Sequence, residues 1–194
     1  MCGVGYGGQT GPVSYSAALS YRGGRKEKNE KGLFGNKGGT ELKGMGDIEG
    51  SANAILNLGY KPLPILELNV RADIPLSQRE NGKNVHAGAT AQLLDARNDN
   101  VSLGLSAGFE DSKYAQTYYG VTAKQATTSK FKAYQPKSGL YEANVMLTWQ
   151  HKIDEKWRVT SILGANHLLR EAARTQLTQR KTSPTGAIYV SYVY

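Results

Sequence analysis

The residue types that could do acid–base or metal chemistry are sparse in this 194-residue chain. Its three histidines are His86, His151 and His167, and no two of them have metal-ligand spacing. None lies near an Asp on the same strand face. Ser161 and His167 share a parity, but the intervening extended chain separates them by roughly 20 Å, too far for a nucleophile and its base. The single cysteine, Cys2, permits neither an internal disulfide nor a zinc cluster. Residues 44–47 have the glycines of a phosphate cradle, without the following helix or the Lys of a P-loop. The histidines therefore read as turn or interface residues, with no catalytic residue, no metal and no cofactor expected.

Charge is the more informative chemistry. Glu67, Arg71, Asp73, Glu142 and Arg158 fall among polar positions of otherwise alternating segments. Charges on the inward parity of a closed sheet would pair as a polar core or line a channel. About eight strands leave an interior just filled by side chains, so a narrow or plugged lumen is expected. Segment 111–138 carries Lys113, Lys124, Lys130, Lys132 and Lys137 against one Asp, and 169–184 carries Arg170, Arg174, Arg180 and Lys181 against one Glu. Such loops are either solvated or able to hold the phosphates of lipopolysaccharide. The net charge is +8, yet no helix-turn-helix, RNA-binding or zinc-finger pattern accompanies it, so nucleic acid is not an expected partner.

The elements that must position these charges are strands. Strict alternation marks 13–22, 50–60, 65–74, 85–95, 101–110, 140–151, 157–168 and 185–194, with a stub at 3–7. Most run about ten residues, nearer the roughly 9–11 of a membrane-spanning strand than the roughly 5–6 of a globular one. No run approaches the roughly 20 apolar residues of a membrane helix, and a mean hydropathy of -0.48 suits a barrel in which alternate residues meet lipid. The final strand is uncharged and lacks Pro, an aggregation hazard as a soluble edge but sensible closing a barrel.

Connections alternate in length. Short turns at 8–12, 61–64, 96–100 and 152–156 face longer loops at 23–49, 75–84, 111–139 and 169–184, with one further short strand candidate at 117–122. With the chain ending in the periplasm, Tyr60, Trp149, Trp157, Tyr192 and Tyr194 fall toward the periplasmic interface. Tyr21, Phe109 and Tyr141 fall toward the outer one. Two aromatic belts are what interfacial anchoring predicts, and a soluble sandwich has no reason to form them. The reading is all-β: one domain over 1–194, an antiparallel transmembrane β-barrel of eight full strands plus the stub. Segment 13–22 can pair with 185–194 to close it, or with the stub.

Several short stretches carry a resemblance. They are Gly24-Arg25-Lys26-Glu27, then Leu42-Lys43-Gly44-Met45-Gly46-Asp47-Ile48-Glu49, and Tyr118-Tyr119-Gly120-Val121-Thr122 with the downstream Ala133-Tyr134-Gln135-Pro136 and Gly139. In order and spacing these resemble the MipA/OmpV family of Gram-negative outer-membrane proteins, with Met45 and Glu49 replacing the family's usual Leu and Asp. The resemblance implies a barrel of about 10–12 strands in the cell outer membrane, reached after cleavage of a signal peptide. It also implies about three strands before the position of Met1, so an N-terminally truncated barrel is expected. The implied role is a scaffold linking a murein hydrolase and a murein synthase, that is, a lytic transglycosylase and a penicillin-binding protein, on peptidoglycan. A narrow solute channel and a lipid-modifying barrel enzyme are the alternatives from other classes.

Overall fold

The computed structural model describes residues 3–27, 30–32, 35–37 and 40–192. Nine strands form one antiparallel sheet: β1 (Gly3–Thr10), β2 (Val13–Arg22), β5 (Ser51–Leu63), β6 (Leu66–Pro75), β7 (Asn84–Asp95), β8 (Asp99–Glu110), β9 (Gly139–Lys152), β10 (Trp157–Leu168) and β11 (Thr182–Tyr192). Spatial order follows chain order throughout. A small hairpin, β3 (Glu30–Gly32) and β4 (Gly35–Lys37), stands apart in the first long loop. The expected stub is a full strand, and it pairs with β2 from Gly3↔Ser20 to Thr10↔Val13. Among the described residues, β2 thus lies between β1 and β5, and β11 pairs only with β10. Tyr194, the end of the sequence-predicted last strand, lies outside the described residues, as does Cys2.

Alternation sorts side chains inside out. Exposed apolar residues line one face, among them Leu19, Leu58, Leu105 and Leu163. The opposite face buries polar groups instead, with Ser51 0%, Asn53 1% and Thr160 2% exposed. In a water-soluble sheet one apolar face would be the buried one.

The polar face is concave. Arg22 on β2 and Tyr141 on β9 are separated in the sheet by β5, β6, β7 and β8, about 24 Å if the sheet were flat. Yet the ring of Tyr114 lies 5.2 Å from the Arg22 guanidinium and 5.5 Å from the Tyr141 ring. One tyrosine can touch both only if the sheet curls around it. Tyr114 belongs to α1 (Ser112–Tyr119), which with α2 (Ala123–Thr128), α3 (Arg170–Arg174) and a 3-10 turn at Arg79–Asn81 lies in the long connections. These segments share one end of the sheet. The long connections also hold most of the buried apolar residues described: Met45, Ile48, Ala115, Val121 and Ala172. The packed core is therefore a cap at the loop end.

Candidate functional site: the loop-end cap

The cap begins with local helix signals. Asp111 is the N-cap of α1, its Oδ1 accepting from the Tyr114 N–H at 2.8 Å. Tyr114 and Tyr118, one turn apart, have ring centroids 4.5 Å apart. Thr122 and Gln125 form a capping box that starts α2. The strand expected at 117–122 is thus a correction: these residues end one helix and cap the next. A Thr-Tyr-Tyr-Gly-Val-Thr run has strand-like composition, but the caps at Asp111 and Thr122 and the packing of Ala115, fully buried, override it.

Segments distant in the chain then lock together. Asp47 accepts from the Glu27 backbone N–H and from Lys26 Nζ, each at 2.9 Å, while the Gly46 N–H donates back to Glu27 Oε2 at 2.8 Å. Arg25 and Ile48 form a β-bridge above this clasp. Gly44 has φ +84°, and a Cβ there would overlap the Thr128 carbonyl oxygen, so only glycine fits. The Thr128 hydroxyl donates to the Gly44 carbonyl at 2.7 Å and Gln125 Nε2 to the Met45 carbonyl at 2.6 Å, seating α2 on the clasp. Val121 and Tyr134 exchange two backbone hydrogen bonds of 2.8 Å, and the Tyr134 hydroxyl donates to Glu171 Oε2 at 2.7 Å. Pro136 is buried just beyond. Gly120 closes α1 with its N–H on the Gln116 carbonyl. Thr175 Oγ1 donates to the Tyr119 carbonyl at 2.7 Å, tying α3 to α1.

The cap is anchored to the concave face by charge. Arg22 pairs with Asp73 at 2.9 Å, reaching across β5, and its Nη1 donates to the Gly82 carbonyl at 3.2 Å. Asn53 donates to the same Asp73, and Ser51 donates to Asn53 at 2.6 Å. On the far side His86 lies 3.5 Å from Glu142, to which Asn166 also donates. The Tyr141 hydroxyl is 3.1 Å from His86 Nε2. Burial pushes the Tyr114 phenol up to about 12, and that of Tyr119 higher still. Burial, then the bond to the Glu171 carboxylate, raises Tyr134 to about 12. All three phenols are neutral at physiological pH.

Tyr141 corrects a sequence expectation. It was expected in the outer aromatic belt, but is 4% exposed and packs beneath α1. The register shifts where Gly108↔Glu142 gives way to Phe109↔Leu140, and the bulged residue, Tyr141, turns inward beside Glu142. Gly108 leaves the room, since a Cβ there would crowd both side chains. Of the other aromatic positions, Tyr60, Trp149, Trp157 and Tyr192 are exposed at the short-turn end, with Trp157 and Tyr192 paired across strands, rings 4.9 Å apart. Tyr21 and Phe109 are exposed near the loop end.

The inward charges do not all pair with one another. Asp73 and Glu142 sit in the networks above, and Glu67 pairs with Lys61 at 3.4 Å. Arg71 and Arg158 make no ion pair among the described residues. Arg22, Asn53 and His86, the partners that matter, were missed. The signal for Arg22 and Asn53 was available, since both sit on the polar parity of strongly alternating strands.

Among the described residues no group of three His, Cys, Asp or Glu side chains is placed to hold a metal. His151 Nδ1 lies 2.9 Å from Asp99 Oδ1 across strands at the short-turn end, a pairing that sequence spacing does not show. Trp149 Nε1 donates to the same oxygen at 2.9 Å. A base and its orienting carboxylate need a nucleophile, and no Ser, Thr or Cys side chain bonds His151 among the described residues.

A one-sheet antiparallel meander, polar within, apolar without and capped at one end by its long loops, has the organisation of an up-and-down β-barrel protein. The model of the family described as MltA-interacting protein MipA matches residues 3–194, and the chain belongs to that family. None of the curated proteins compared with the chain matches it. The motif residues Gly44, Gly46, Asp47, Tyr118, Tyr119, Gly120, Val121, Tyr134 and Pro136 all lie in the cap or its immediate support.

Proposed function

We propose that the chain is an outer-membrane β-barrel protein with a scaffolding role, holding a lytic transglycosylase near a penicillin-binding protein at its short-turn side. The observation that carries this reading is the family match over residues 3–194, since the family's description is of a protein that interacts with MltA, a lytic transglycosylase. The exposed apolar face supports the membrane part, because contiguous apolar surface of that extent marks a lipid or protein interface. The cap across the concave face supports a non-conducting scaffold over a solute channel. The aromatic residues at the short-turn end serve as interfacial anchors.

Immobilised lytic transglycosylase is expected to retain the detergent-solubilised chain and, through it, a penicillin-binding protein that it does not hold alone. Retention of neither enzyme, with ion conductance in planar bilayers, replaces the scaffold by a channel. Hydrolysis or acyl transfer on phospholipid replaces it by an enzyme. For topology, Lys124→Cys in the cap is expected to react with an impermeant thiol reagent on intact cells and Glu155→Cys in a short turn is not. The reverse pattern rejects the orientation.

A further inference from the structure

On the outer flank of the cap lies a hollow of about 430 Å³, between the end of β6 and the start of α1. One wall is apolar, made by Ile74, Pro75 and Leu76, and the other carries Arg79, Lys83 and Lys113. All three cations are exposed, and none makes an ion pair among the described residues. The one acid in the wall, Asp111, already caps α1 through Oδ1. Lys113 sits in the first turn of α1, which contains no acidic residue, so its charge adds to the positive end of the helix dipole. Three cations and a helix N-terminus thus face a single carboxylate, which leaves positive potential in excess at one spot.

The apolar wall says what kind of anion fits. Ile74 ends the outward row of β6 that includes Leu68 and Val70, all exposed. The hollow thus opens where the apolar face gives way to the cationic loops. A free anion would gain nothing from Ile74 and Leu76. A zwitterionic headgroup brings its own cation. We infer that the hollow binds the phosphate of an anionic phosphorylated lipid in the leaflet at the loop end, with Arg79, Lys83 and Lys113 on the phosphate and the apolar wall against the acyl chains. The inference rests on the membrane reading given under Proposed function.

The test uses the full chain in phosphatidylcholine vesicles with and without bisphosphorylated lipid A. Insertion is read by protease protection, and bound lipid by native mass spectrometry after detergent extraction. The wild type is expected to retain lipid A. Each cation removed should weaken retention roughly fivefold, so Arg79→Ala/Lys83→Ala/Lys113→Ala should lose about a hundredfold. Lys113→Glu should keep or strengthen α1, because an acid suits a helix N-terminus, while lowering retention, which separates binding from folding. Arg97→Ala/Lys156→Ala at the short-turn end should change nothing. Equal retention by the triple variant, or equal loss in the short-turn variant, overturns the site. Binding of inorganic phosphate as tight as that of lipid A overturns the lipid as its source. A wild type that inserts but carries no lipid A sinks this inference and leaves the membrane reading standing; failure to insert into either vesicle sinks both.

Discussion

At the loop end, α1 spans strands as far apart as β2 and β9 through the stacking of Tyr114 on Arg22 and Tyr141, over strand-to-strand charge pairs, and α2 seats on a glycine that admits no side chain. At the short-turn end, strands are joined by tight turns such as Gly11–Pro12, and the cross-strand contacts are half-exposed, as in the trio Trp149, Asp99 and His151. The same ladder of backbone hydrogen bonds serves both ends. What differs is desolvation. A charge pair such as Arg22–Asp73, with side chains 15% and 18% exposed, has few waters to replace a lost partner. Asp99 and His151, each 37% exposed, have many. The contrast teaches that segments 44–47 and 118–136 build a packed cap, while the polar contacts of the opposite end stay open to solvent.

Substitutions at the two ends should therefore differ in consequence. The largest expected effect is that of Tyr141→Ala, which empties a site between α1 and His86 and should cost about 3–5 kcal/mol in a denaturant titration. A cost under about 1 kcal/mol would mean the cap does not depend on the inward bulge. Gly44→Ala follows, at about 2–4 kcal/mol, because it combines a left-handed backbone with overlap of the Thr128 carbonyl. Its counterpart Gly11→Ala, at φ +56° with nothing within 4 Å, should cost only about 1 kcal/mol. Equal losses at the two glycines would erase the distinction between the ends.

A pH titration sharpens the comparison. The folded cap raises the Tyr114 phenol from its ordinary 10.0 to about 12, so the neutral form is the one favoured by folding. That contribution is fully present below pH 10, and is lost as pH rises from 10 toward 12 while the unfolded chain ionises first. For Tyr114 it is on the order of 2–3 kcal/mol. Tyrosinate absorbance should then show the cap phenols ionising later than exposed ones, and cap proteolysis should accelerate in the same window. Ionisation of every tyrosine near pH 10 would contradict the packing. The smallest effect is expected of Asp99→Asn, which should leave the unfolding midpoint nearly unchanged.

Legibility in the sequence divided along the same line. Alternation in 13–22, 85–95, 101–110 and 157–168 located strands to within a residue or two, because period-2 polarity is a property of each strand alone. The last strand begins earlier than expected, at Thr182, since Ser183 and Pro184 can occupy an edge position without alternating polarity. Helices in 111–138 were not read, although Asp111 and the Thr122/Gln125 pair are local start signals. Their tyrosines and threonines carry strand propensity, and what stabilises them is packing against Arg22, Tyr141 and Thr175, contacts that no window of the sequence contains.

Composition and periodicity by themselves determined an antiparallel meander with one apolar face and the alternation of short and long connections, while the short stretches in 24–49 and 118–136 carried the family resemblance. These follow from properties that each segment carries alone. Only the tertiary structure decided that the sheet curls, that the motif segments meet in one cap, that Tyr141 faces inward, and that Asp73 and Glu142 find Arg22, Asn53 and His86 while Arg71 and Arg158 make no ion pair. The inward turn of Tyr141 depends on its one-residue bulge opposite Gly108 and Phe109, and the rest on contacts across as many as six strands. A single register slip reverses which face a side chain meets, and local sequence cannot encode that reversal.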